Sequence, residues 1–422
     1  MTLSDDASGV RGDPPAPRSA SAAPGWHELT GEAGVALLAR IAELRTGGRS
    51  IEEVSRLLRA EGPDPALLAA ALTQTGLRDR AAAKFGDLAG ELLLTRAALE
   101  QATRIRVARL HARRFLDAGC RSVTDLGCGI GAESLALLEL GIVPRPVELD
   151  PLTAEFAQHN LTTLAGRLGV EAPRVRVGDA ERLGPGDADG VFLDPARRTA
   201  GHSDTRRVAS PDDYSPSLTF AFGLAERRPG GVKLGPGLDR ALIPDRAEAQ
   251  WVSVDGQLVE TGLWFGAAAR PGIRRAALVL RGDGSAELTA PADAEDAQVR
   301  GLGEYLYEPD GAVIRARLIG DLAGRLGAGM ASDGIAYLTG DHLVDTPFAA
   351  AFRVLEEVPS RERDLRRALA ARGIGSLEIK KRGAEVDPAA LRRRLKLRGP
   401  ESATLFITRV AGRHAALLAE RC

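Results

Sequence analysis

The chain has 422 residues, a formal net charge of −1, 44% hydrophobic and 27% charged residues. This length exceeds one ordinary core and predicts two or three domains, and the composition excludes a disordered or fibrous chain. The near-zero net charge gives no argument for nucleic acid or for membrane, and no stretch approaches the roughly 18–20 apolar residues of a membrane span.

Aromatic residues make up only 4%, so Leu, Val and Ala must build most of the core. Cys120, Cys128 and Cys422 have neither metal-ligand nor disulfide spacing. A reducing cytoplasm is the simplest compartment, and no metal site is expected. Residues 1–25, rich in Pro, Ser, Ala and Asp, read as a disordered leader without the apolar region of a signal peptide. From 26 to about 115 the chain reads as a helical domain. Leu37, Leu38, Ile41 and Leu44, then Ile51, Val54, Leu57 and Leu58, recur at helical spacing. Gly47-Gly48 and Gly62-Pro63-Asp64-Pro65 interrupt the pattern. Residues 99–116 have helical composition with no breaker, but no single polar face.

From Arg121 the rhythm changes. Strands are expected at 122–126, 146–149, 174–177 and 190–193, with helices at 133–140 and 152–168 between the first three. This alternation predicts a parallel, doubly wound α/β sheet. A helix at 220–228 and a strand at 231–234 follow, and strands at 251–254, 258–264 and 275–280 add an antiparallel edge. A turn at Asp283-Gly284 and a polar linker at 292–296 then lead to a second α/β unit, with strands at 306–308 and 336–338 and a helix at 315–326. From about Phe348, strands at 353–358, 376–380 and 403–409 alternate with helices at 362–371 and 388–395.

The strongest local signal is Asp125-Leu126-Gly127-Cys128-Gly129-Ile130-Gly131, between a predicted strand and a predicted helix. Gly127, Gly129 and Gly131 let the main chain turn sharply and lie against a ligand without Cβ obstruction. Backbone N–H groups and a helix N-terminus then face that ligand. The spacing is G-x-G-x-G rather than the dinucleotide G-x-G-x-x-G, and an Asp stands two residues ahead. The pattern resembles motif I of class I methyltransferases, where the loop packs on the amino-acid portion of S-adenosylmethionine (SAM). A plain glycine turn would read the same way in isolation. Glu148, about twenty residues on, can accept hydrogen bonds from both ribose hydroxyls. Asp150 is expected to start the next turn or helix. Asp179 matches the position that holds the adenine amino group in this family. Asp125, Glu148 and Asp179 would lie on the carboxyl edge of the sheet, where open α/β folds bind ligands.

Asp194-Pro195-Ala196-Arg197-Arg198 follows the fourth strand and resembles motif IV of amino-group methyltransferases. There the first residue and the next carbonyl accept hydrogen bonds from the target nitrogen, a positioning effect. Asp194, Pro195 and Arg197 are the expected catalytic residues. Arg198 is expected to bind substrate. The chain departs from the D/N-P-P-aromatic pattern at Ala196 and Arg197, although Arg can stack on a base or bind phosphate. The polar loop 199–216 suits substrate capture. Lys233 either lines the same pocket or pairs with a strand-end acid. Residues 94–103 resemble the pre-core segment of several RNA methyltransferases, which makes Thr95, Glu100, Gln101 and Thr103 candidates for the methionine end of SAM. An ordinary helix cap explains Thr95 as well.

Residues 361–414 hold fifteen Lys or Arg and six Asp or Glu, a local balance of +9. Lys380, Lys381 and Arg382 are candidates for contacting phosphate, against the alternative of a solvated basic face. Taken with Glu378–Gly383, Asp387-Pro388 and Ala403-Thr404-Leu405, the chain resembles bacterial class I SAM-dependent methyltransferases with a C-terminal THUMP-like domain. The resemblance implies a Rossmann-like methyltransferase sheet at 116–284, a small ferredoxin-like unit at 285–347 and a basic THUMP-like domain at 348–422. It also implies SAM as cofactor and RNA as partner, so the expected function is methylation of a base nitrogen in RNA. Two alternatives stay open: an RNA-binding protein with a vestigial or regulatory SAM site, and a methyltransferase for a small molecule or protein. The sequence assigns no oligomeric state.

Overall fold

The structure is a computed structural model that describes residues 24–197 and 213–422. The chain divides into two compact units, 1–190 and 191–422.

The first unit opens with α1 (Glu32–Thr46), α2 (Ile51–Glu61) and α3 (Pro65–Phe85). Their starts are written locally. Ser50 and Glu53 form a reciprocal capping box on α2, with bonds of 3.0 and 3.3 Å. Asp64 caps α3 by accepting from the Leu67 N–H at 2.9 Å, with Pro65 in the first turn. Leu37, Leu38, Ile41, Leu44, Val54 and Leu58 share one core cluster with Phe156. The expected helix over 99–116 is two helices, α4 (Arg96–Gln101) and α5 (Ile105–Asp117). Lys84 explains the break. Its ammonium donates to the carbonyls of Leu99, Glu100 and Ala102 at 2.7, 2.8 and 2.9 Å. A cation there satisfies the orphaned carbonyls of a helix C-terminus and complements its dipole. A distant residue supplies this stop, so no local breaker was needed.

β1 (Ser122–Leu126), α6 (Ala132–Glu139), β2 (Val143–Glu148), α7 (Pro151–Leu168), β3 (Arg176–Val177) and α8 (Ala180–Leu183) complete this unit. β2 pairs in parallel with β1 on one side and β3 on the other. It begins three residues before the expected strand, because Pro144 and Pro146 obscure it. The Val143 N–H points to β1, donating to the Arg121 carbonyl at 2.9 Å. By alternation the two proline nitrogens face the other side, where β3 arrives only opposite Val147 and Glu148. Two buried amides then tie the segment before α4 to the rest. Gln74 exchanges bonds of 2.8 and 3.0 Å with the Leu94 backbone. Asn160 accepts from the Leu93 N–H at 2.7 Å and donates to the carbonyls of Leu93 and Ile130 at 3.1 and 3.0 Å.

The second unit takes in β4 (Gly190–Leu193) from its second residue, then β5 (Ala196–Arg197), β6 (Tyr214–Ser215), α9 (Leu218–Ala225), β7 (Gly230–Leu234), β8 (Glu248–Val254), β9 (Gln257–Phe265), β10 (Arg275–Arg281) and β11 (Gly284–Ala290). Here the order is β11-β10-β8-β9-β7-β4, with β4–β7 and β8–β10 parallel and the other pairs antiparallel. Gly231 is required by packing: a Cβ there would meet Trp264 at 2.7 Å and Phe192 at 2.9 Å. Asp283-Gly284 does not open a new unit. It turns β10 back into β11, an edge strand with only Leu288 and Ala290 fully buried, too weak an apolar signal to read alone.

The remaining strands are β12 (Tyr305–Pro309), β13 (Gly329–Ser332), β14 (Ile335–Gly340), β15 (Ala349–Val358), β16 (Ile374–Lys381), β17 (Glu401–Val410) and β18 (Arg413–Arg421). They form one sheet in the order β13-β14-β12-β15-β18-β17-β16. The two small units expected on either side of 347/348 therefore share a sheet, joined where β12 pairs with β15. The expected helix 315–326 is α10 (Gly311–Arg315) and α11 (Ile319–Leu326), parted at Arg317, whose φ is 58°. β18 was unforeseen. Its turn uses Ala411 and Gly412 at φ 46° and 81°, the primed geometry of a two-residue hairpin without the usual Asn-Gly signal. α12 (Glu362–Ala371) and α13 (Pro388–Leu395) pack Leu365, Leu369, Leu391 and Leu395 into one cluster on this sheet.

Asn160→Ala leaves a buried N–H and two carbonyls without their amide. It is expected to destabilise the protein by roughly 3 kcal/mol, read from urea denaturation. A change within about 0.5 kcal/mol, the range of surface substitutions, would contradict the bridging role.

Candidate functional site

In the first unit the glycine loop is hung on the end of β2. Gly127 and Cys128 both donate to the Val147 carbonyl, at 2.9 and 3.0 Å. Gly127, Gly129 and Gly131 have φ of 85°, 56° and 91°, in the left-handed region that glycine alone adopts without cost. Gly131 sits at the N-cap of α6. Nothing lies within 4 Å of where a Gly129 Cβ would stand, so the middle of the loop faces open space, whereas Gly131 backs onto Ala157 and Leu161 of α7.

The three expected acids are placed differently. Asp125 is buried at 1% exposure, and its Oδ2 accepts from the Ser134 hydroxyl at 2.6 Å, which joins the end of β1 to α6. It supports the loop from behind. Glu148 braces it from the side: Oε2 accepts from the Gly129 N–H at 2.8 Å, and Oε1 from those of Leu149 and Asp150 at 2.9 and 3.0 Å. A carboxylate has about four acceptor positions, so one remains for a ribose hydroxyl in this rotamer, where two bonds were expected. Burial pushes the Glu148 carboxyl up from its ordinary value, the three N–H groups oppose this, and the charge of Asp150 adds to it. Asp179 is exposed at the end of β3 and caps α8, its Oδ1 accepting from Glu181 and Arg182 at 2.7 and 3.3 Å. Asp150 caps α7 through the Thr153 N–H and hydroxyl.

The pre-core candidates also separate. Thr95 caps α4, accepting from the Ala98 N–H at 3.1 Å. Gln101 is exposed at the last residue of that helix, and Thr103 is buried in the break after it. Sequence reasoning missed what holds this segment in place: Gln74, Lys84 and Asn160. The available signal was an amide, Asn160, among the apolar Ala157, Leu161 and Leu164 of one helix.

In the second unit Asp194 follows β4, and Lys233 lies in β7. Since Leu193 pairs with Val232, the two charged residues are the next in register. The Lys233 ammonium is 2.5 Å from Asp194 Oδ2, and both side chains are largely covered. A buried ammonium beside a carboxylate stabilises its ionised form and fixes its direction. Pro195 is buried. Ala196 and Arg197 form β5, which brings the buried Tyr214 opposite Arg197. Arg198, with His202, Arg206, Arg207 and the rest of the expected capture loop through 212, lies outside the described residues.

Lys380 and Arg382 are not placed as open phosphate ligands. Lys380 Nζ lies 2.7 Å from Glu308 and 3.0 Å from Glu378, and sits 5.6 Å from the Phe352 ring centre. Arg382 stacks at 5.1 Å over Tyr337, with Glu308 at 4.0 Å. Strand alternation turns these two toward one face, whereas Lys381 is exposed. Among the described residues no group of three or more His, Cys, Asp or Glu could hold a metal ion, and no helix is long and apolar enough to cross a membrane.

These elements define a Rossmann-like methyltransferase fold. A candidate methyltransferase of Porphyromonas gingivalis W83 shares the fold at a TM-score of 0.70, with 22% identity over 92% of this chain and 98% of its own. Two uncharacterized S-adenosylmethionine-dependent methyltransferases of Mycobacterium tuberculosis, from strains CDC 1551 and H37Rv, are each 39% identical over 345 residues, 80% of this chain and 91% of theirs. The chain belongs to the SAM-dependent methyltransferases. Residues 349–421 match the THUMP domain-like family, and residues 24–81 match a domain of unknown function, DUF8688. The bare glycine bend and the partly committed Glu148 fit SAM, which when bound supplies an electrophilic methyl group on its sulfonium.

Two outcomes are expected. A protonated Glu148 accepts fewer hydrogen bonds, so SAM affinity should fall on acidification from above the ordinary carboxylate range. For stability the sign is opposite: with a raised folded pKa, the Glu148 contribution is present below the unfolded pKa and lost as pH rises through the folded one. Glu148→Gln should weaken SAM by about tenfold at neutral pH and flatten the acidic limb in calorimetric titrations; an unchanged limb would remove this role. Lys233→Met should leave SAM affinity intact and lower kcat by on the order of tenfold or more, with partial recovery in Lys233→Arg. An undiminished kcat would make the ion pair merely architectural.

Proposed function

We propose that this SAM-dependent methyltransferase methylates a base nitrogen in RNA. The observation that carries the RNA reading is a THUMP domain-like match at 349–421, within which residues 361–414 carry a balance of +9, on a methyltransferase chain. A methyltransferase for small metabolites has no need of such a basic appendage.

In this reading Thr95, Gln101, Thr103, Asp125, Gly127, Gly129, Gly131, Glu148 and Asp179 form and support the cofactor site. Asp194 and the Pro195 carbonyl accept hydrogen bonds from the target amine and aim its lone pair at the methyl carbon. With SAM bound, the methyl group would pass to that nitrogen, the sulfur keeping the bonding pair as S-adenosylhomocysteine and the amine proton passing to water. A carboxylate held by Lys233 serves better as an aiming acceptor than as a strong base, so orientation is the main contribution of Asp194. Ala196 and Arg197 stand where related motifs carry Pro and an aromatic. An arginine, like an aromatic residue, is able to stack on a base plane.

The test combines nucleoside mass spectrometry of RNA from deletion and wild-type cells with transfer from radiolabelled SAM to deletion-strain RNA. One methylated nucleoside should vanish in the deletion, and Asp194→Ala should cut transfer by on the order of 10²-fold while SAM still binds. SAM binding with no transfer to any RNA would point instead to a regulatory cofactor site, and label in protein or small molecules would move the substrate elsewhere.

A further inference from the structure

We infer that the phosphodiester backbone of a helical RNA docks on the outward face of α12 and α13, and not on the strand cations Lys380 and Arg382; the inference rests on the RNA reading. Residues 361–372 and 388–398 contain ten Lys or Arg and two acids. Both acids are engaged within the layer: Glu362 bonds Arg394 at 2.9 Å, across the two helices, and Asp364 lies 3.8 Å from Arg367. Of the excess of eight, Arg372 is paired with Glu356, and Asp387 at the cap of α13 acts on Arg393, which leaves six positive charges in the layer without an acidic counterpart.

Its direction is set by packing. Leu365, Leu369, Leu391 and Leu395 go into one core cluster, so both helices press the same sheet face and present their remaining sides to solvent. Arg363 and Arg366 on α12, Arg393 on α13 and Arg398 just beyond its end are exposed. The Arg394–Glu362 bond links the two helices, which makes one surface of two short elements. The strand cluster has the opposite character. Lys380, Arg382 and Arg421 share Glu308 and Glu378 and lie over the rings of Tyr337 and Phe352. Freeing them for phosphate would break those pairs.

The ligand class follows from what the face lacks. No aromatic residue occurs anywhere in 361–398, so there is no platform on which an unpaired base can stack. Cations alone read phosphates, and phosphates in fixed array are the property of a duplex. Residues 361–422 carry +9, which leaves −10 on the rest of the chain. A polyanion is thus drawn to this face and repelled by the remaining surface as a whole.

The test uses the full chain, an RNA hairpin of about 16 base pairs with a fluorescent label, and anisotropy titrations across a KCl series. The quadruple variant Arg363→Gln, Arg366→Gln, Arg393→Gln, Arg398→Gln should bind at least tenfold more weakly, with a salt slope shallower by roughly one for each phosphate it no longer neutralises. The equally charged control Arg49→Gln, Arg56→Gln, Arg59→Gln, Arg80→Gln, on exposed arginines near the N-terminus, should bind like wild type. SAM titration checks that both variants are folded. Equal weakening in both variants, or an unchanged slope in the first, overturns the inference. So does displacement of the hairpin by polyglutamate at equal charge, which would assign the face to an acidic polypeptide. Helix-dependent hairpin binding with no methyl transfer to any RNA would keep this docking face and remove the base-methylation reading instead.

Discussion

The first unit depends on how one bend in the backbone is held. The glycine loop bonds to groups that lie beyond it in sequence: the Val147 carbonyl, the Glu148 carboxylate and the Asn160 amide. All three come from residues 147–160, the end of β2 and the middle of α7. A loop of three left-handed glycines loses more chain entropy on folding than any other choice. Side chains from a neighbouring strand and helix can offset that cost without placing a Cβ inside the bend. Asn160 also holds Leu93, so the segment before α4 and the cofactor loop share the hydrogen bonds of one side chain. A shift in either is felt by the other.

The two strand-end carboxylates are stabilised by different means. Glu148 is surrounded by backbone N–H groups and carries a desolvation penalty that raises its pKa. Asp194 has an ammonium instead, from the adjacent strand. Desolvation leaves Glu148 able to take up a proton despite its three N–H partners, while the covered ammonium beside Asp194 fixes the direction of that carboxylate. The first arrangement suits a bracing and binding group. The second suits an acceptor whose task is to hold a direction. In the C-terminal sheet charge is sorted in a comparable way, with Lys380 and Arg382 paired to acids and the cations of the helices in excess of theirs.

Much of the fold was readable because it is local. The helix breaks at Gly47-Gly48 and Gly62–Pro65, the glycine loop and the alternation of apolar runs with helices carry their own signals over a few residues. The misreadings have a common origin. The split between α4 and α5 is imposed by Lys84, the early start of β2 depends on where β3 begins, and β11 is recognisable only as the partner of β10. The union of β12–β14 with β15–β18 in one sheet is invisible locally, because it rests on β12 pairing with β15 about forty residues further along the chain.

The sequence by itself determined the class of chemistry, since glycines and carboxylates at strand ends are required by the conformations and hydrogen bonds they must supply. Tertiary structure decided what each charged residue has left to give. Whether Glu148 has one acceptor position remaining, whether Asp194 meets a cation, and whether a lysine is paired on a strand or an arginine open on a helix are set by neighbours distant along the chain. Electrostatic energy depends on separation in space and on burial, and neither is written in the order of residues.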